Sequence, residues 1–257
     1  MTTRTLKMAL ALALVAPAGL VAADWGNLKG KFVIDGKAPE AAKLNVDKDK
    51  EVCAKNPPVD EAVVVGDGGA LANVFVYLRT DKVAEHADYQ KTAKDEIAVD
   101  NLNCRFEPHA SVLRTSQTLV LKNSDPVGHN SKVNCLKNPG LNPLIAANGS
   151  VKANFAQEEN LPTEVNCNIH GWMKGYVLIR KGPYAAASAK DGTFEIKNLP
   201  AGSELEFQIW QEKAGYVKDV QMSGAKADPK CRFKIKLKAG DNDLGTIKCP
   251  ARMFQKK

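Results

Sequence analysis

Short apolar runs rich in Val, Ile, Phe and Tyr, each cut off by Gly, Pro, Asn or Asp, most constrain what this chain can fold into. Residues 27–36 alternate in strand fashion and end in Asp35-Gly36, a turn signal. Residues 71–79, centred on Val74-Phe75-Val76-Tyr77-Leu78, form a second strand, and residues 232–238 put Lys on one face and apolar side chains on the other. Helical periodicity is weak, and residues 83–94 are the most helix-like stretch. An all-β fold follows, and 257 residues are enough for two compact domains.

Arg4 and Lys7 precede an apolar stretch from Met8 to Leu14 that runs on to Val21-Ala22-Ala23. These are the charged, apolar and small-residue regions of a secretory signal, with cleavage expected after Ala23. Pro17 and Gly19 interrupt the run, which is short for a membrane anchor. The expected location is therefore periplasmic or otherwise exported, with no membrane span after signal removal. The net charge of +7 falls to +5 once Arg4 and Lys7 are gone. The remaining lysines are spread through strand-like segments with no RNA-binding signature, zinc finger or basic helix, which argues against nucleic acid. They serve a solvated surface or steer an acidic partner.

The chemistry concentrates in Cys167-Asn168-Ile169-His170-Gly171-Trp172-Met173, a C-x-x-H-x-x-M pattern. A thiolate, an imidazole and a thioether together suit a soft, redox-active metal, and the thioether points to copper. The chain has four histidines, His86, His109, His129 and His170. His129 is the best second imidazole: it follows the apolar run Thr118-Leu119-Val120-Leu121 and the turn signal Asn123-Ser124-Asp125-Pro126, which places it on a loop after a strand. His109 is the alternative, at the far end of that strand, and His86 reads as a surface residue. Trp172 reads as an apolar cover that limits water at the metal. Asp125 and Glu164 read as ordinary loop carboxylates, and there is no Gly-x-Ser-x-Gly, P-loop or dinucleotide fingerprint.

From residue 97 to 180 the chain resembles the cupredoxins: a strand ending in Asn-x-Asp, a loop with His129 followed by Asn130, then Cys167, His170 and Met173 ahead of a closing strand over 173–179. The short ligand loop is similar to that of the amicyanin group. The resemblance implies a Greek-key β-sandwich and one type 1 copper ion held by His129, Cys167, His170 and Met173. It implies single-electron transfer through an exposed edge of His170, beneath an apolar patch to which Trp172 and Pro143 contribute. It also implies a redox protein partner such as a c-type cytochrome or a periplasmic dehydrogenase. Gly128 stands where Pro is usual in the family. A copper enzyme needs more histidines than remain, so no enzyme is expected. The alternatives are a copper carrier and a structural or carbohydrate-binding envelope protein.

Residues 191–202, Asp-Gly-Thr-Phe-Glu-Ile-Lys-Asn-Leu-Pro-Ala-Gly, with the apolar run that follows, resemble the carboxypeptidase regulatory-like β-sandwich module, which is non-catalytic. The expected plan is a signal over 1–23, an amino-terminal β segment with a polar loop over 24–94, a cupredoxin domain over 95–181, and the second small β-sandwich over 182–257. The strand at 30–36 resembles the start of the same module, so the cupredoxin is a candidate insertion. Six cysteines in an exported chain favour disulfides. With Cys167 reserved for metal, Cys231 and Cys249 are expected to pair across a terminal hairpin, and Cys53 and Cys104 to tie the amino-terminal loop to the first cupredoxin strand. Cys135 is then an extra ligand, an intermolecular bridge, or the partner of Cys104 in place of Cys53.

Overall fold

The computed structural model describes residues 24–255; the signal expected over 1–23 lies outside them. In chain order, β1 (Trp25–Asp35) is followed by a long loop carrying α1 (Lys50–Cys53), then β2 (Phe75–Leu78) and α2 (Asp88–Lys91). The middle of the chain lays down β3 (Glu96–Leu102), β4 (Arg105–Glu107), β5 (Ala110–Arg114), β6 (Thr118–Asn123), β7 (His129–Asn130), β8 (Lys132–Val133), β9 (Leu144–Ile145), β10 (Ser150–Ala153), β11 (Thr163–Asn166) and β12 (Lys174–Arg180). The last part adds β13 (Ala185–Ala187), β14 (Thr193–Pro200), β15 (Glu204–Trp210), β16 (Arg232–Lys236) and β17 (Gly240–Pro250). The fold is all-β, as the sequence predicts. The helix-like stretch over 83–94 contains only the single turn of α2.

The strands form two sandwiches. In the first, a sheet ordered β14-β1-β17 packs on one ordered β13-β2-β15-β16, so strands from both ends of the chain share one core. The segment before residue 95 therefore has no separate core of its own. In the second, a sheet ordered β10-β6-β3-β4 packs on one ordered β5-β12-β11-β8. The pairs β3·β6 and β5·β12 are parallel because the chain crosses between the two sheets rather than turning back as a hairpin.

Burial patterns explain the layering. β1 buries every second residue, including Leu28, Phe32 and Ile34, as a half-buried strand must. β2 and β12 differ, because both their faces are covered. Val76 faces the first core and Phe75 and Tyr77 the contact between sandwiches, while Val177 and Ile179 face the second core and Leu178 that same contact. Such strands read as continuous apolar runs rather than alternating ones. Complete burial of a side chain such as Leu178 contributes about 1.5–3 kcal/mol. Across the contact the Trp210 and Tyr176 rings lie 5.1 Å apart.

Cys53 and Cys104 are bridged, so the polar loop before β2 is tied to the turn between β3 and β4. Cys231 and Cys249 are not: both are buried free thiols. The expected terminal hairpin does not form, because β16 pairs with β15 while β17 pairs in parallel with β1 in the opposite sheet. Among the described residues no helix is long and apolar enough to cross a membrane.

Candidate metal centre

The turn joining β11 to β12 contains the C-x-x-H-x-x-M residues and is closed by its own backbone. Cys167 N–H donates to Met173 O at 3.3 Å, Met173 N–H to His170 O at 2.9 Å, and His170 N–H to Cys167 Sγ at 3.4 Å. Spacings of three thus bring all three side chains inward on one tight loop. His129 approaches from β7, a two-residue strand paired with β9, rather than from the open loop that the turn signal predicts. Asn123 sets up that approach: its fully buried amide donates to Val127 O, Ile145 O and Ala146 O, and its Oδ1 accepts from Asp125 N–H at 3.0 Å.

Cys167 Sγ lies 4.0 Å from His129 Nδ1 and 3.7 Å from His170 Nδ1, and all three donor atoms are within 4.8 Å of one another. The two imidazole centroids are 4.5 Å apart. All four predicted residues are enclosed: His129 and His170 are fully buried, and Cys167 and Met173 are 1 % exposed. The remaining candidates are elsewhere. His109 lies beside Glu212, and His86 is half-buried edge-on to Trp25. Cys135 is a half-buried free thiol outside this group, and the Cys53–Cys104 bridge removes it as a partner for Cys104. A second grouping, Cys104 with Asp125 and His129, loses its thiolate to the same bridge.

What surrounds the donors decides how they point. His129 Nε2 is 2.9 Å from Asp125 Oδ2, and His170 Nε2 is 2.7 Å from Asp49 Oδ2. Each imidazole gives its Nε2–H to a carboxylate, which fixes the ring with Nδ1 directed at the Cys167 sulfur. Asp125 is held in turn by Asn103 N–H at 2.7 Å and Cys104 N–H at 2.8 Å. It is therefore not the ordinary loop carboxylate the sequence suggests, but a buried residue that orients an imidazole. Asn130 Oδ1 accepts from Asn168 N–H at 2.8 Å and Ile169 N–H at 3.3 Å and sits 3.4 Å from Cys167 Sγ, locking the C-x-x-H-x-x-M turn to the His129 strand. Burial alone would raise the Cys167 thiol; hydrogen bonds from His129, His170 and the neighbouring backbone outweigh it and hold the thiol at about 6. Burial alone would lower His170, and its bonds to Cys167 and Asp49 hold it above the usual imidazole value.

The resemblance marks Asn130 only as the residue that follows His129, with no role attached, and Asp49 is not singled out by the sequence at all. Asp49 lies 121 residues from His170 in a polar loop. Its position also overturns the exposed His170 edge expected from the resemblance. The His170 edge is closed by Asp49 and by Trp172, whose ring lies 5.2 Å away and whose Nε1 donates to Cys104 O at 3.1 Å. Trp172 and Pro143 are half-buried, whereas Ile169 and Leu144, each adjoining Asn130, are 37 % and 70 % exposed.

No family model matches the chain, and no curated protein matches it. Among solved structures it is similar to a copper-containing nitrite reductase from Thermus scotoductus SA-01, at 17% identity over 34% of this chain and 23% of that one, with a TM-score of 0.31. The chain thus spans less than a quarter of that enzyme's length. It is also similar to amicyanin: a variant in the Cu(I) form at 17% identity and a reduced tryptophan-to-tyrosine variant at 19%. Each covers 41% of this chain and 98% of the amicyanin chain, with a TM-score of 0.30.

Proposed function

We propose that this chain is an exported mononuclear blue-copper protein of the cupredoxin type, carrying single electrons between redox partners. One observation carries the reading: a thiol sulfur and two imidazole Nδ1 atoms converge within 4.8 Å in a buried site, with each imidazole anchored through its other nitrogen. The donor set fits copper, since one soft thiolate with two imidazoles is the chemistry such sites use. Met173, enclosed in the same core and on the same turn, would offer the ion a thioether. His129, Cys167 and His170 would hold the ion, and copper there supplies a one-electron couple.

The chain's own contribution is to keep the donors still. Asp125 and Asp49 fix the rotation of the two imidazoles, and Asn130 fixes the Cys167–Ile169 backbone. Complete burial of both imidazoles keeps water out of the donor set. Donors held this way move little between oxidation states, which is what fast outer-sphere transfer requires. Anchoring of both imidazoles by carboxylates favours retention of the metal over delivery, so we place electron transfer ahead of a copper-carrier role. The remaining histidines, His86 and His109, are too few for a second copper centre of the kind that reduces oxygen or nitrite, and we propose no enzymatic activity.

The Cys53–Cys104 bridge supports an oxidising, exported location. The partner is a redox protein such as a c-type cytochrome or a periplasmic dehydrogenase, and exposed Ile169 and Leu144 give it an apolar landing point beside Asn130. The first sandwich, built from both ends of the chain, would carry the copper sandwich as an insertion, in keeping with the regulatory-like resemblance of residues 191–202. Spectroelectrochemistry of the copper-loaded chain tests the function. A reversible one-electron couple, unchanged by oxygen or nitrite, is the expected result; a catalytic current with either would replace the carrier with an enzyme.

A further inference from the structure

Beyond the Cys167 centre, a cavity of about 410 Å³ opens between the two sandwiches, lined among others by Glu61, His109, Trp172, Tyr176 and Glu212. His109, just before β5, is 7 % exposed. Its two ring nitrogens have different neighbours. Nε2 lies 2.6 Å from Glu212 Oε2, whereas Nδ1 is buried with no hydrogen-bond partner and faces Glu61 Oε2 at 3.9 Å. Arg105 engages the other Glu61 oxygen, Oε1, at 3.3 Å, leaving Oε2 turned to the imidazole.

A histidine that gives one N–H to a carboxylate while its other nitrogen stands bare is the arrangement of a metal ligand, the carboxylate fixing the tautomer. Two donors on one tetrahedral zinc are about 3.4 Å apart at bond lengths of about 2.0–2.2 Å. The 3.9 Å gap between Nδ1 and Oε2 therefore closes on an ion with a shift of about half an ångström in the Glu61 side chain. Glu61 lies on a loop beside the cavity and can make that shift. We propose that His109 Nδ1 and Glu61 Oε2 form a second site, for a first-row divalent cation such as zinc, with Glu212 as its positioning residue. Water from the cavity completes the coordination. Imidazole with carboxylate suits zinc, nickel or cupric ions rather than the soft cuprous ion.

The three segments that build the site are already tied together. Gln211, beside Glu212, donates from Nε2 to Ala62 O at 2.6 Å, and Tyr176 N–H donates to His109 O at 2.7 Å. An ion there would pin the 60–62 loop and the 211–213 turn to the copper sandwich.

Titration of the purified chain with Co(II), following both stoichiometry and the thiolate-to-cobalt absorption of Cys167, tests the site. Wild type is expected to bind two equivalents, only one of them producing the thiolate band. His109→Gln and Glu61→Gln are each expected to bind one, with the thiolate band intact, and Glu212→Gln to weaken the second equivalent roughly 10–100-fold. Cys167→Ser should lose the band and keep the His109 equivalent, so a failure at either centre is seen separately. A wild type that binds only the thiolate-linked equivalent, or a Glu61→Gln chain that keeps both, would overturn the proposal.

Discussion

Asp49 Oδ2 stands 2.7 Å from His170 Nε2 although 121 residues separate the two in the chain. Asp49 sits in the left-handed region, φ 45°, immediately before α1, and Cys53 at the end of that helix is bridged to Cys104. The loop that begins outside the second sandwich thus closes over the turn that carries Cys167, His170 and Met173.

Asp49→Asn keeps the shape and removes the charge. Loss of the carboxylate behind His170 is expected to weaken copper binding roughly 10–100-fold. It should also raise the reduction potential, because the oxidised ion loses a nearby negative charge. Competition with a chelator and a redox titration read the two effects separately, and an unchanged potential would remove Asp49 from the account.

Replacing Cys53 and Cys104 together by Ser opens a loop of 51 residues. Chain entropy puts the expected loss of stability at about 4 kcal/mol. Hydrogen exchange at Asn168–His170 should rise as the cover over His170 loosens, and thermal unfolding of the metal-free chain gives the stability change.

Asn130→Ala removes the acceptor of the part-buried Asn168 and Ile169 N–H groups, which water can reach in its place. The expected cost is about 0.5–1.5 kcal/mol by urea unfolding. The ligand turn should also become heterogeneous, which paramagnetic resonance of the copper form would show as broadened or multiple signals.

Glu159 is 1 % exposed and accepts from Asn138 Nδ2 at 3.0 Å, Lys137 N–H at 2.9 Å and Asn138 N–H at 3.1 Å. Burial alone would raise its carboxyl, but these bonds outweigh it and hold it below the usual carboxylate range. A carboxyl lowered in the folded state adds stability that is present above the unfolded value and lost as pH falls through the folded one. Stability of the wild type should therefore fall on acidification below the usual carboxylate range, and that increment should be absent from Glu159→Gln. Denaturant midpoints measured from neutral pH down to pH 3 check it.

The parts of this molecule that were legible in sequence are those encoded by near neighbours. The alternation of residues 27–36 becomes β1, and spacings of three place Cys167, His170 and Met173 on one turn. His129 was found because the alternatives were few and a turn signal preceded it. Parallel pairing is non-local, and so the union of β1 with β17 was not visible, and Cys231 and Cys249 were assigned to a hairpin that does not exist. Asp125 was misjudged because a carboxylate's burial is a property of the packed fold. Asp49 was missed because nothing local distinguishes it from the acidic and basic residues around it.

The most direct test of the blue-copper reading is the absorption and paramagnetic resonance spectrum of the purified chain after cupric copper is added, beside Cys167→Ser. The account predicts an intense thiolate-to-copper band with narrow copper hyperfine splitting in the wild type and its loss in the variant. A colourless wild type, or a spectrum that survives the substitution, would contradict it.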